Sequence, residues 1–231
     1  MRYLIAETTW KMMSLGHALS QTGTLLTRCE AAEDIEEFHR IGAHDLLVVD
    51  AAVLRSMTTL TRLRELNPDV PIGLIAREAD GAQIAAWLMA GADTVLSSEA
   101  TTEEIIARLG AVARRAHGVS VPVSDCGPLR FDLEKRRVHF GTTTLSLSPK
   151  LYEILEFLAL RPGRLATRET LMSHVYGFEN EPAPRVFDVY MCNLRAHLAP
   201  VEAALSIETV RGEGYRLQVT ERRGSARTMA A

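Results

Sequence analysis

Residues 185–198 read RVFDVYMCNLRAHL, and after a short polar stretch residues 206–216 read SIETVRGEGYR. In the first half Phe187, Met191, Leu194 and Leu198 fall at i, i+4, i+7 and i+11 on one stripe, which predicts a helix packed against a core. The other side of the same wheel carries Arg185, Val189, Cys192, Asn193 and Ala196, with Arg195 and His197 at its flanks. A narrow face of small or hydrogen-bonding side chains with a positive border suits a helix that enters a DNA major groove. The second half has β-branched Ile207, Thr209 and Val210, then Gly212-Glu213-Gly214, then Tyr215 and Leu217, and predicts a hairpin. Arg211 and Arg216, near its expected tip, would meet phosphates or an adjoining minor groove.

Each half alone is common, since amphipathic helices with an arginine and Gly-x-Gly hairpins also serve as plain core structure. The wording of the segment is more specific. Arg185-x-x-Asp188-Val189, then Asn193-Leu194-Arg195, then Thr209-Val210-Arg211-Gly212-x-Gly214-Tyr215-Arg216-Leu217 closely resembles the winged helix-turn-helix domain of OmpR/PhoB-type response regulators. The resemblance implies an α+β winged domain in the C-terminal half and double-stranded DNA as its ligand.

The whole chain leaves room for a second domain. At 231 residues, 47% hydrophobic and 24% charged, it has ordinary globular composition and suits two small domains or one large one. No apolar run approaches a membrane span, and MRYLIAETTW lacks the basic and apolar regions of a signal peptide, so a cytoplasmic location without membrane contact is expected. Cys29, Cys126 and Cys192 are far apart and form no CxxC or Cys/His spacing, which predicts reduced thiols rather than disulfides or zinc ligands. The net charge of −3 conceals an asymmetry. Residues 1–123 hold 11 Lys+Arg against 16 Asp+Glu, and residues 124–231 hold 15 against 13. That modest excess would not itself indicate nucleic acid, and the placement of arginines on the helix and hairpin matters more.

In the N-terminal half apolar runs alternate with helical patterns five times. Strands are expected at Tyr3–Ala6, Leu25–Cys29, Leu46–Val49, Ile72–Ile75 and Thr94–Leu96, with helices near Lys11–Gln21, Ala32–Ile41, Leu54–Leu66, Asp80–Ala90 and Thr102–Ala116. Five βα units imply an α/β fold with a parallel sheet covered on both faces, and right-handed crossovers place functional groups at the carboxyl ends of the strands. Glu7 and Asp50 each lie just past a strand, at ends that neighbour one another at the switch point of a doubly wound fold. The pattern resembles the flavodoxin-like (βα)5 receiver domain of response regulators. Gly91-Ala92-Asp93 before the fifth strand and Pro71 opening the fourth match as well, so the resemblance covers nearly the full length.

The departures from that receiver pattern are chemical. The family holds Mg²⁺ with an acidic pair after the first strand, which here reads Glu7-Thr8. The hydroxyl expected after the fourth strand aligns with Ala76, and the lysine after the fifth with Ser98, followed by Glu99 in place of the proline that allows a cis bond. Lysine and magnesium stabilise the transferring charge electrostatically. With both compromised, Asp50 is expected to be a poor phosphoacceptor, and its plainer reading is a helix N-cap or solvated strand-end carboxylate. No resident cofactor is expected, Mg²⁺ at Glu7 and Asp50 being the one candidate.

If phosphate is not the switch, the receiver is expected to be permanently dimeric or to answer another input. In the family, receivers dimerise through the fourth helix, fifth strand and fifth helix. On that face the chain offers Asp93, Glu104, Arg108 and Arg115 as ionic partners and Ile84, Leu88 and Ile106 as an apolar patch, residues whose helical spacing also suits a core.

The domains read as 1–117 receiver-like, 118–127 linker, 128–220 winged helix-turn-helix and 221–231 mobile tail. LRFDL, RVHF and TLSLS predict short antiparallel strands ahead of the helices. Ser148-Pro149 predicts a helix start with serine at N-cap and proline at N1, and Thr167 with Glu169 and Thr170 the start of the next. Phe178 to Pro184 would be the loop that touches RNA polymerase in the family, although Glu179, Asn180 and Glu181 also suit a plain solvated loop.

For DNA contacts the expectation is Asn193 on adenine, with Val189 on the same face, Arg185, Tyr190 and Arg195 positioning the backbone, and Arg211 and Arg216 serving the wing. Many relatives carry arginines where this chain has Cys192 and Asn193, so fewer ionic contacts should flatten the salt dependence. Asp188 is expected to pair with an arginine of the protein itself. Three functions follow: a phosphorylation-independent DNA-binding regulator, dimeric on repeated half-sites; a conventional phospho-switch on Asp50; and an enzyme at the Glu7, Thr8 and Asp50 pocket. The last has no support from a glycine-rich phosphate loop, a Ser/His/Asp signature or a metal-ligand cluster.

Overall fold

Five short apolar runs, each too short to be a helix and each followed by an amphipathic stretch, form a parallel sheet. The structure is a computed structural model that describes residues 1–54, 56–178, 182–183 and 185–220. Strands β1 (Arg2–Ala6), β2 (Leu25–Cys29), β3 (Leu46–Asp50), β4 (Ile72–Ala76) and β5 (Thr94–Ser97) pair in the order β2-β1-β3-β4-β5. That order reverses direction beside β1 and β3, which puts the ends bearing Glu7 and Asp50 at the switch point. Helices α1 (Trp10–Gln21), α2 (Ile35–Ile41), α3 (Met57–Leu66), α4 (Gly81–Met89) and α5 (Thr102–Ala116) connect and follow the strands. The central strands β1, β3 and β4 bury both faces, and two apolar clusters result. Leu4, Leu47, Val49, Leu74 and Trp87 belong to one, and Ile5, Leu15, Val48, Ile75 and Leu109 to the other. Helix starts follow local chemistry, since Thr9, Ser56, Asp80 and Thr101 each accept an amide of the first turn. The second expected helix starts in a 3-10 turn at Ala32–Asp34, while a separate 3-10 turn at Ala51–Val53 precedes α3, which starts at Met57 instead of Leu54.

The chain divides into two compact units, Met1–Pro122 with Glu169–Glu181, and Val123–Arg168 with Pro182–Ala231. In the second, β6 (Val123–Cys126), β7 (Leu129–Asp132), β8 (Arg137–Phe140) and β9 (Thr143–Thr144) make an antiparallel meander. Two expectations shift here. Val123–Cys126, inside the stretch read as linker, pairs with β7 as a strand, and of TLSLS only Thr144 joins the sheet before Ser148 caps α6 (Pro149–Ala159). Proline at the first position of α6 costs nothing because that amide has no helical partner.

Strand β10 (Leu165–Thr167) precedes α7 (Arg168–Tyr176), which from Glu169 on belongs to the first unit. Helix α8 (Val186–Leu198) leads to β11 (Leu205–Val210) and β12 (Gly214–Val219), and the three strands pair in the order β10-β12-β11. Strand β10 has no counterpart in the sequence reading. It fits because Gly214 has a φ of +157° and no side chain, where a Cβ would stand 2.1 Å from the Ala166 carbonyl oxygen.

Candidate nucleic-acid interface and acceptor pocket

Helix α8 divides by burial as its periodicity predicts. Phe187, Met191, Leu194 and Leu198 are buried, each contributing about 1.5–3 kcal/mol by leaving water. Arg185, Cys192, Asn193 and Ala196 are exposed, and Val189 is 58% exposed. Tyr190 is half-buried, its ring set edge-on to Phe187 at 5.9 Å.

Three side chains tie α8 to its neighbours. The Tyr215 hydroxyl of β12 donates to Asp188 Oδ1 at 2.6 Å, and Arg168 Nη2 donates to the same oxygen at 3.0 Å. The Arg168 guanidinium also lies 5.4 Å over the Tyr215 ring. The Tyr215 bond and the Arg168 cation hold the Asp188 carboxyl below the usual carboxylate range. Asp188 thus pairs within the protein, as the sequence led one to expect.

Arg195 departs from its expected role. Its Nε and Nη2 donate to the Ile207 carbonyl at 3.0 and 2.8 Å, and Nη2 reaches Thr209 Oγ1 at 2.7 Å, so the guanidinium joins helix to β11 instead of standing free for phosphate. Arg216 is also not at a wing tip. It lies within β12 opposite Glu208 and pairs with that carboxylate at 3.4 Å. The exposed turn is Arg211-Gly212-Glu213, where Gly212 takes φ +80°, and Arg211 is the arginine it presents. Both engagements were hidden for one reason, since a sequence gives the spacing of arginines but not the strand each leans on.

In the first unit, Glu7 and Asp50 stand at the ends of adjacent strands as predicted. What occupies the space between helix and sheet there was not foreseen. The Arg28 guanidinium, from β2, pairs with Glu7 Oε1, and its Nη2 donates to Ser20 Oγ at 2.9 Å. The Glu7 side chain is only 8% exposed; burial lifts its carboxyl above the usual range, and the Arg28 charge pulls it back. Gly16 of α1 makes the room, because a Cβ there would come 2.0 Å from Glu7 Oε1. Arg28 was visible as the one charge in the run LLTRC, but pairing of β1 with β2 is what brings it to Glu7.

Asp50 accepts the Ala52 amide at 2.9 Å on Oδ1 and the Thr9 hydroxyl at 3.1 Å on Oδ2, the capping geometry of its plainer reading. Thr9, absent from the expected set, serves two roles, since it also caps α1. Thr8 Oγ1 is buried without a hydrogen-bond partner. Ala76 is buried at the end of β4, and the Ser98 amide donates to its carbonyl at 2.8 Å. Among the described residues no group of three His, Cys, Asp or Glu is placed to hold a metal ion.

On the expected dimer face Leu88 and Arg115 are exposed, and Glu104 pairs with Arg108 at 2.8 Å along α5. Ile84 is half-buried, and Ile106 packs partly against the second apolar cluster. Asp93 is a correction. Its carboxylate takes the Arg64 guanidinium and the Ile72 amide, at 2.7 Å for the latter, so it is committed inside its own unit. Met89, which had not been singled out, is 91% exposed. Glu179, Asn180, Glu181 and Pro184 of the loop before α8 lie outside the described residues, as do Arg222, Arg223 and Arg227 of the tail.

Residues 142–217, which span α6 through most of β12, match the family described as transcriptional regulatory protein, C terminal. The cell cycle response regulator CtrA of Brucella anthropi is 32% identical over 178 residues, covering 76% of this chain and 77% of that one. This chain belongs to the OmpR/PhoB-type response regulators. Members of the group match across the receiver as well: the cell cycle transcriptional regulator CtrA of Caulobacter vibrioides is 28% identical over 218 residues, 93% of this chain and 94% of its own. The solved response regulator DrrB of Thermotoga maritima, an OmpR/PhoB homologue, aligns with a TM-score of 0.43 and 22% identity over 94% of this chain and 98% of that one. As a response regulator the protein is a DNA-binding transcriptional regulator with a receiver-like parallel domain followed by a winged-helix domain. No helix of the described residues is long and apolar enough to cross a membrane.

Proposed function

We propose that this response regulator controls transcription without phosphorylation of Asp50, as a dimer on repeated half-sites. The observation that carries the reading is the pairing of Arg28 with Glu7, which puts a side-chain cation on the one carboxylate left at the position of the family's acidic pair. A divalent ion there would displace or repel a guanidinium, and its remaining ligands would be Asp50, engaged by Thr9 and Ala52, and the Thr8 hydroxyl. That donor set does not fit Mg²⁺. At the end of β4 Ala76 offers no hydroxyl, and after β5 Ser98 offers no cation, to answer a phosphoryl group.

In this reading the receiver-like domain is 1–117 and the DNA-binding domain, with β6 included, begins at 123 and runs to 220. Asn193 reads a base, Val189 contributes apolar contact, Arg185 and Tyr190 position the backbone, and Arg211 reaches phosphate from the turn. Arg195 and Arg216 hold the helix and wing in place. Leu88, Met89 and the half-buried Ile84 form the apolar part of the dimer face, with Arg115 at its edge. The loop from 178 to 184 is the segment assigned to RNA polymerase.

Selection of bound DNA from a random pool with no phosphodonor present tests the proposal, and a reproducible site with repeated half-sites is expected. A conventional phospho-switch is the second reading, favoured by the strand-end position of Asp50. Recovery of a site only after addition of acetyl phosphate and Mg²⁺ would select it instead.

A further inference from the structure

The end of the parallel sheet away from Asp50 holds a second polar cluster. The buried Asp45 carboxylate accepts the Arg2 amide at 2.6 Å and meets His117 Nε2, at the end of α5, at 2.8 Å and His174 Nδ1, on α7, at 4.0 Å. Three more contacts seat α7 within this unit. The Ala43 amide donates to Ser173 Oγ at 3.0 Å, the Arg2 guanidinium donates to the His174 carbonyl, and His174 Nδ1 lies 3.3 Å from the Ala43 carbonyl. Phe178, just past α7, closes on Phe38 at 5.0 Å and edge-on to the His44 ring at 6.3 Å.

His44 stands out in this arrangement. It is 3% exposed, and neither ring nitrogen has a hydrogen-bond partner. The loop is cut to fit it, since a Cβ on Gly42 would lie 1.9 Å from His44 Cε1. A buried imidazole without an acceptor has nowhere to place a second proton. Arg2 from β1 and His39 from α2 face it and oppose a positive charge, Asp45 favours one, and Phe178 offers an apolar edge. Burial first, then Arg2, push the ring down to about 3 from an ordinary 6.5. His117 and His174 both meet the Asp45 carboxylate.

We propose that His44 is the proton-sensitive element of a latch that keeps residues 169–178 seated on the loop between α2 and β3 at neutral pH and releases them on acidification. Release opens the His44 ring to water, where it binds a proton at its ordinary pKa. A lowered histidine pKa favours the seated state above pH 6.5, and the preference is lost as pH falls from there toward about 3. Between pH 7.5 and 5.0 the ratio of seated to released forms should fall by up to about 30-fold. The segment lies within residues 142–217, so the proton would act on the part of the chain that matches the transcriptional regulatory family. The latch is independent of Asp50 chemistry.

Hydrogen exchange of the full-length protein at pH 7.5 and 5.0, corrected for intrinsic rates, tests this. Peptides covering 37–46 and 169–178 should lose protection together at pH 5.0, while the β4 peptide over 72–76 holds. His44→Phe, which fills the same space and cannot be protonated, should keep both peptides protected at both pH values. Phe178→Ala should loosen them already at pH 7.5. Equal protection of the wild type at the two pH values would overturn the latch without any variant, and a His44→Phe protein with wild-type pH dependence would move the proton elsewhere and overturn the assignment.

Discussion

Tyr215 and Asp188, 27 positions apart, share a 2.6 Å hydrogen bond that joins strand β12 to the first turn of α8. Tyr215→Phe removes the hydroxyl and leaves Asp188 with Arg168 alone. Urea unfolding near neutral pH should show a lower midpoint, and DNA affinity should fall evenly across sites because the helix is less firmly aimed. The Asp188 carboxyl is held below its ordinary 3.8, so the bond's contribution is present above that pH and is lost as pH falls through the still lower folded value. Variant and wild type should therefore converge in strong acid, and a constant difference down to pH 2 would contradict the pairing.

Arg195→Ala and Arg211→Ala should fail in different ways. Arg195 spends its donors on Ile207 and Thr209, so its loss should lower stability and leave the salt dependence of DNA binding unchanged. Arg211 is exposed on the turn, and its loss should weaken binding at all sites and reduce the slope of log K against log salt by about 1. Equal slopes for the two variants would count against this division.

Asn193→Ala should relax preference at one base pair by about 1–3 kcal/mol while other positions keep theirs. Binding of the variant to sites that differ at each position in turn is the measurement. A uniform loss would reassign Asn193 to the backbone.

Beryllofluoride with Mg²⁺ should leave sedimentation and DNA affinity unchanged in the wild type. Arg28→Ala combined with Thr8→Asp restores a carboxylate pair and removes the cation, so it should gain Mg²⁺ binding. Trp10, 82% exposed and one residue from Thr9, provides a fluorescence readout. No gain in the double variant would mean that the cation is not what excludes the metal.

Leu88→Glu with Met89→Glu places two like charges on the exposed side of α4 and should convert a dimer to a monomer in sedimentation while thermal stability stays near wild type, since neither side chain is buried.

Much of this protein was legible as periodicity and local chemistry. The 3.6-residue stripe of 187–198 fixed which side of α8 is buried, alternating βα runs fixed a parallel sheet, and Ser148-Pro149 marked a helix start, because each depends on residues near one another in the chain. The positions of Thr8, Ala76 and Ser98 at strand ends were readable for the same reason. Only the tertiary structure decided which charges are spent. Arg28 meets Glu7 because β2 lies beside β1, Arg195 and Arg216 are engaged by β11, Asp93 is committed to Arg64, and His44 is sealed under Phe178. The energy of an ion pair or a buried ring depends on its partners in space, and a linear order of residues does not contain those distances.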